Sequence, residues 1–379
     1  MTLRSADSLR STVKHRAIIF TKYIPYRYLS TLHGIRNMPV TVVPRTTVVP
    51  TTTMDRSKLK FIDIGVNLTD PVFHGIYRGH RKHEDDFALV LERAKLAGVK
   101  SMIITGGSLR ESRTALKVAE ENDLYATVGC HPTRSGEFDK FRIGPDGYLN
   151  ALDQVISSSL AGAARVVAVG ECGLDYDRLH FADQETQKKY FKCQLSLAKK
   201  HHLPLFLHSR AAHEDFVSIL REEGFDTDGG RAVGGRGGVV HSFTGTKTEI
   251  EELTTMGFHV SVNGCSLKTD ENLEAAKAIP KGRLMLETDA PWCTMTSTHA
   301  SKRHLDSLPA ALREVYFPAA TKPESYVPGR PVKGRNEPCA IGGVCWVMSC
   351  LHEGVSVEDV AEAAWTNTVE LFGLKCLEE

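Results

Sequence analysis

The chain has 379 residues, is 41% hydrophobic and 25% charged, and carries a formal net charge of +1. That balance excludes nucleic-acid binding through overall basicity, leaving only local patches for the purpose, and no apolar run reaches the roughly 18 residues that a membrane-spanning helix needs. Nine cysteines, all after residue 129 and with no CxxC pair, fit free thiols in a reducing compartment better than a disulfide framework.

In chain order, residues 1–57 come first and differ from the rest. No acidic residue occurs between Asp7 and Asp55, while Arg10, Lys14, Arg16, Lys22, Arg27, Arg36 and Arg45 are spread among Ser, Thr and Tyr. Such a segment reads as a mitochondrial transit peptide, as a disordered extension, or as the product of an upstream start codon with Met54 as the usual first residue. A cytoplasmic or nuclear location is expected, and a mitochondrial one if the leader is a transit peptide. The folded domain is expected over 58–379.

From Lys58 onward, short apolar runs alternate with amphipathic stretches. Strands are predicted at 59–68, 99–105, 124–130, 165–171, 203–208, 237–242, 257–263 and 283–289. Helical patterns lie between them at 83–98, 108–123 and 184–202. Strands buried on both faces read as continuous apolar runs, and eight of them with intervening helices predict a (β/α)8 TIM barrel. A doubly wound open sheet is the alternative, but no GxGxxG or GxxxxGK[ST] motif follows any strand. The glycine-rich stretch 229–238, "GGRAVGGRGG", resembles RNA-binding RGG segments, yet it precedes strand six. It is therefore expected on the face away from chemistry, as a flexible linker. The last helix, 357–373, is expected to close the barrel.

The run "RVVAVGECGLDYD" (165–177) ends an oily strand in a glutamate. A carboxylate there is costly unless it is solvated, paired or bound to a cation. In a (β/α)8 barrel the C-terminal ends of the strands share one mouth. Those ends carry Glu171, His208, His241 and Asp289, with His131 following the third strand. Two imidazoles and two carboxylates aimed at one axis form a divalent-metal site of mixed N/O ligands, suited to Zn, Mn or Mg. Singly, each has a plainer reading: a hydrogen-bonded scaffold histidine, a helix cap, or a pairing of Glu171 with Arg210.

The blocks "FIDIGVNLTDP", "TVGCHPTRSGEF", "VGECGLDYDR", "LFLHSRAAHEDF", "VVHSFTGT", "LETDAPWC" and "GRNEPC" closely resemble the TatD family of metal-dependent nucleases, in its eukaryotic deoxyribonuclease subgroup. The resemblance runs from about residue 59 to 374 in the correct order. It implies a TIM barrel and Mg²⁺-dependent phosphodiester hydrolysis, with Mn²⁺ or Zn²⁺ as alternatives. The implied action is 3′→5′ exonuclease digestion of DNA and sometimes RNA. The metal ligands it implies are Glu171, His208, His241 and Asp289, the same four that the strand ends supply. Where many relatives carry an HxH pair on the first strand, this chain has Gly65 and Asn67 after Asp63. One firmly held ion is therefore expected in place of a permanent pair.

In the mechanism this suggests, Asp289 accepts the proton of the attacking water. His131 donates to a phosphate oxygen, protonates the leaving oxygen, or only caps the loop before Pro132. Substrate contacts are expected from Arg78 and Arg81 beside Tyr77, from Trp292 stacking on a base, and from Arg210 and Arg335 as phosphate clamps. Asn336 and Glu337 are expected to brace the segment 299–338 over the mouth. Nucleic acid is the expected partner, with no membrane and a monomeric chain. A small-molecule hydrolase and a non-catalytic metal-binding scaffold are the rival readings.

Overall fold

The computed structural model describes residues 59–374 and 377; the expectations for the leader lie outside the described residues. Eight parallel strands run in sequence order: β1 (Phe61–Val66), β2 (Val99–Ile104), β3 (Tyr125–Val128), β4 (Val166–Asp175), β5 (Leu205–Arg210), β6 (Gly238–Val240), β7 (His259–Val262) and β8 (Leu284–Leu286). Neighbour follows neighbour around the sheet, which no doubly wound sheet does. Beyond the formal strand ends, Asp289 N–H donates to the Gly65 carbonyl and Asn67 N–H to the Ala290 carbonyl, both at 2.8 Å. These bonds draw β8 to β1, and the sheet forms a nearly closed barrel.

Around it lie α1 (Phe87–Leu96), α2 (Leu109–Asn122), α3 (Gly136–Lys140), α4 (Gly144–Ala161), α5 (Gln184–His201), α6 (His213–Glu222), α7 (Lys247–Thr255) and α8 (Asp270–Lys277). After β8 come α9 (Lys302–Leu305), α10 (Ala310–Tyr316), α11 (Ile341–Cys350) and α12 (Val357–Phe372). The strands are predominantly apolar because each has two buried faces, with Asp63, Ser101, Thr127 and Ser261 among the buried polar exceptions. Ile62, Ile64, Ile103, Val167, Phe206, Val239 and Met285 fill the barrel interior. Val66, Ile104, Val128, Leu205 and Val240 face the helices. α5 contributes one apolar stripe, with Tyr190, Phe191, Leu195, Leu197 and Ala198 buried, whereas α11 is buried on nearly every side. In α12, Trp365, Val369, Leu371 and Phe372 pack on the interior cluster, so this helix plugs the barrel as expected.

Two local outcomes differ from the sequence reading. The stretch 229–238 does precede β6, but it is a hydrogen-bonded turn and not a flexible linker. Gly229 N–H donates to Met256 O, Gly235 N–H to Gly230 O and Gly237 N–H to Gly229 O, at 2.8–2.9 Å. β4 also runs four residues past Glu171. Its pairing with β5 shifts register between Gly170 and Cys172, then resumes with Gly173 opposite His208 and Asp175 opposite Arg210. Glu171 occupies this bulge, and a bulge re-aims its side chain. Gly173 makes the continuation possible: its φ is +144°, and a Cβ there would fall 1.9 Å from the His208 carbonyl oxygen.

Asp63 locks the closure. Its buried carboxylate accepts from Thr288 N–H at 2.9 Å, from Gly65 N–H at 3.3 Å and from the Thr288 hydroxyl. Burial, with Glu287 nearby, pushes its pKa up to about 8 against these hydrogen bonds. In the unfolded chain an aspartate ionises near 3.9. Between those values the folded state holds a proton that the unfolded state has lost, so Asp63 withdraws stability as pH rises. The amide of an Asp63→Asn variant reproduces the protonated carboxyl without titrating. Its stability relative to wild type should therefore increase from pH 5 to pH 8, by up to roughly 1 kcal/mol per pH unit. Urea midpoints in EDTA across that range check this; parallel pH curves for the two proteins would refute it.

Candidate metal centre

The C-terminal mouth gathers side chains from five strands and the loops that follow them. β4 supplies Glu171 and Asp175, and β5 supplies His208. His241 follows β6, Glu287 and Asp289 follow β8, and His131 follows β3. Glu171 Oε1 lies 2.9 Å from His208 Nδ1, 2.7 Å from His241 Nε2 and 3.4 Å from His131 Nε2. His208 Nε2 lies 3.2 Å from Asp175 Oδ2. The ligand atoms of Glu171, His208 and His241 fall within 4.8 Å of one another, as do those of His131, Asp175 and His208.

The charges of this cluster hold one another in place. Burial opposes the charge on Glu171, but His131, His241 and His208 bring its carboxyl well below the usual range. His241 is desolvated too, yet Glu171 and Glu287 raise it well above an ordinary imidazole. His208 is likewise raised, by Asp175 and Glu171 acting against burial. His131 is dominated by burial and drops to about 3. Its Nδ1 accepts the Thr133 N–H at 3.1 Å, so the proton of the neutral ring sits on Nε2, facing the cluster. It both caps the loop and serves the site.

The donor set fits a cation. Several imidazole nitrogens compete for a single carboxylate oxygen, and Asp175 Oδ1, Glu287 Oε2 and His241 Nδ1 are buried without hydrogen-bond partners. His241 Nδ1 stands 3.5 Å from Glu287 Oε2. A ligand histidine backed by a carboxylate on its far nitrogen is the common arrangement around bound metals. Glu287 is itself held by Ser242 N–H at 2.7 Å and Asn263 Nδ2 at 2.9 Å.

Asp289 lines the same cavity of about 560 Å³ as Glu171, His208 and His241, but it does not join their tight cluster. Asn67 Nδ2 donates to its Oδ1 at 2.9 Å and the Cys293 thiol to its Oδ2 at 3.2 Å. Burial raises its pKa to about 6, with His241 opposing and Glu287 and Glu171 adding to the rise. The first strand is closed to a ligand at position 65, because a Cβ on Gly65 would fall 2.5 Å from Glu287 Oε2. Asn67 orients Asp289.

The expected substrate residues fare differently. Arg210 lines the metal cavity and has no hydrogen bond or ion pair among the described residues. Trp292 is 57% exposed and forms a shared wall of three adjoining cavities. These are the metal cavity, a polar one with Arg110, Arg134 and Arg178, and a slot of about 500 Å³ with Tyr77, Arg78 and Pro291. Arg78 is exposed at the tip of a small hairpin (Ile76–Tyr77 with His80–Arg81). Arg81 also sits there, but its Nη1 is turned to the carbonyls of His74 and His83 at 3.1 and 3.3 Å.

Arg335 must be corrected. It is buried, with Nη1 and Nη2 on Asp86 at 2.8 and 2.6 Å and Nη2 on Glu337 at 2.7 Å. Its charge is neutralised inside the protein and is not offered to a phosphate. Asn336 braces the same segment, donating to the Thr288 carbonyl at 2.9 Å.

Sequence reasoning missed Asp175, Arg178 and Glu287. The signal for Asp175 was its spacing from Glu171: side chains four apart on one extended strand share a face.

Comparison with known proteins agrees with this geometry. The profile of the family described as TatD related DNase matches residues 62–373. The chain is 42% identical over 315 residues to the Schizosaccharomyces pombe protein named Deoxyribonuclease Tat-D, covering 83% of this chain and 96% of that one. It is 33% identical over 317 residues to the 3′-5′ ssDNA/RNA exonuclease TatD of Erwinia amylovora, covering 82% and 99%. A Saccharomyces cerevisiae crystal structure described as an uncharacterized amidohydrolase superposes with a TM-score of 0.75 at 34% identity, over 83% of this chain and all of that one.

Proposed function

Since the chain belongs to the family of TatD-related DNases, we propose that it is a metal-dependent nuclease that hydrolyses phosphodiesters of DNA, and of RNA, from the 3′ end. The observation that carries this reading is the convergence of His208 and His241 on Glu171 at a barrel mouth bordered by arginines. Glu171, His208 and His241 would hold the cation, with Asp289 beside them. Mg²⁺ is favoured for the carboxylate-rich surroundings, Mn²⁺ and Zn²⁺ for the imidazoles. When bound, the cation supplies Lewis acidity toward a phosphate oxygen and lowers the pKa of the attacking water.

The protein's own groups do the rest. Asp289, with a carboxyl near 6, is matched to accept a proton from water near neutral pH. His131 is neutral and carries its hydrogen on Nε2, so it donates a hydrogen bond to a phosphate oxygen and does not protonate the leaving group. Arg178 and Arg210 flank the cavity and offer guanidinium forks to the phosphates on either side. The Tyr77–Trp292 slot takes an unstacked base, and Arg78 takes the phosphate beside it.

The test is a 5′-labelled single-stranded oligonucleotide incubated with metal-stripped protein and EDTA, Mg²⁺, Mn²⁺ or Zn²⁺ in turn. A metal-dependent ladder shortening from the 3′ end supports the reading, and no cleavage with any metal overturns it. For the slot, stacking contributes about 1–3 kcal/mol per base. Trp292→Ala should therefore raise KM for the oligonucleotide about tenfold or more, and KM for bis(p-nitrophenyl) phosphate by much less. Equal changes for both substrates would remove Trp292 from base binding.

A further inference from the structure

Two thiols at the metal centre have no part in the mechanism above. Cys265 opens the 3₁₀ turn Cys265–Leu267 after β7, its N–H held by Asn263 Oδ1 at 2.8 Å. Cys293 lies in the loop after β8, next to Trp292. Both are partly exposed, and both line the cavity that contains Glu171, His208, His241 and Asp289. Their loops touch: a Cβ on Gly264 would fall 1.9 Å from the Cys293 carbonyl oxygen. Two touching loops thus present both thiols to one cavity. By contrast, Cys130, Cys172, Cys339 and Cys345 are buried in the core. Cys193 and Cys350 sit on α5 and α11, away from the mouth.

We propose that Cys265 and Cys293 form a modification site, closing into a reversible disulfide that lowers the activity of the metal centre. The reaction needs an oxidant of the peroxide class. The Cys265 sulfur attacks one peroxide oxygen, the O–O bond breaks, and a sulfenic acid and one water result. The Cys293 sulfur then attacks the sulfenic sulfur, forming the S–S bond and releasing a second water. Two thiols lose two protons and two electrons, and one hydrogen peroxide becomes two waters.

The consequence lies at Asp289. The Cys293 thiol donates to Asp289 Oδ2 at 3.2 Å, and a sulfur in a disulfide has no hydrogen to donate. Asp289 keeps the hydrogen bond from Asn67, while the loop carrying both Asp289 and Trp292 is stapled to the loop after β7. Loss of a hydrogen-bond partner that supports the groups around a metal costs about 10–100-fold in affinity or activity.

The experiment exposes full-length protein to a few equivalents of hydrogen peroxide, blocks the remaining thiols, and maps the peptides by mass. The expected result is a Cys265–Cys293 cross-link, about 2 Da lighter than the two free peptides and reversed by dithiothreitol. Oligonucleotide cleavage should fall about tenfold or more on oxidation and return on reduction. Cys265→Ser should match reduced wild type and resist the fall. Cross-links elsewhere, oxidation only to sulfinic acid, or equal inactivation of Cys265→Ser would overturn the proposal. The activity arm rests on the nuclease reading. If reduced wild type cleaves nothing, that reading fails by itself, and the thermal shift induced by Mn²⁺ replaces activity as the readout. Its loss on oxidation would support the disulfide, and its persistence in cross-linked protein would refute it.

Discussion

Glu171→Ala should lower oligonucleotide cleavage by about three orders of magnitude, because charge stabilisation by a metal amounts to several kcal/mol and each 1.4 kcal/mol is a factor of ten in rate. Glu171 Oε1 is the atom on which His208, His241 and His131 converge. Without it the imidazoles lose the anion that orients them, and a cation loses its central ligand. Folding should survive, since the side chain stands in a bulge at the barrel mouth and not in the packed interior. Two readouts separate loss of metal from loss of fold. Thermal melts in EDTA should leave the variant close to wild type, and added Mn²⁺ should stabilise wild type far more than the variant. Glu171→Gln preserves volume but not charge, and should behave like the alanine variant in both assays. Activity within a few-fold of wild type would take Glu171 out of the metal site.

Glu171 was legible in the sequence because a carboxylate closing an apolar strand has few fates, and His208, His241 and Asp289 stood at comparable ends. The fold was legible for a related reason: strands covered on both faces carry continuous apolar runs, and their order along the chain is their order around the barrel. What could not be read depends on exceptions to that regularity. The sequence predicts an end to β4 at Glu171, because nothing in it announces that Gly170 and Gly173 carry the strand through a register shift to Asp175. Asp289 stands beside the three cluster residues in the sequence pattern because a strand end fixes where a residue sits, not which neighbours already hold its carboxylate. Asn67 and Cys293, which do hold it, lie 222 positions away and four positions further along the same loop. The turn at 229–238 has a linker's composition, but its glycine amides find carbonyl partners, and that pairing is a property of the folded backbone.

Arg335 shows the same limit with the largest expected effect on stability. A basic residue in "KGRNEP" after the last strand looks exposed, because its partner Asp86 is 249 positions away. In the folded chain Asp86 and Glu337 are shared between Arg335 and Arg93, two anions against two cations. Removing one cation leaves an uncompensated buried charge. Arg335→Met should therefore destabilise the protein by about 3–5 kcal/mol, the usual cost of breaking a buried pair from one side. Removing the charges in balance should cost much less. In Arg335→Met combined with Asp86→Leu, Arg93 retains its two bonds to Glu337, at 2.7 and 3.0 Å, and no buried charge is left over. Urea denaturation of the two single variants and the double variant forms a cycle. A double variant more stable than either single one identifies Arg335 as a structural counter-charge. If Arg335→Met instead melts like wild type and loses only affinity for oligonucleotide, the guanidinium serves the substrate after all.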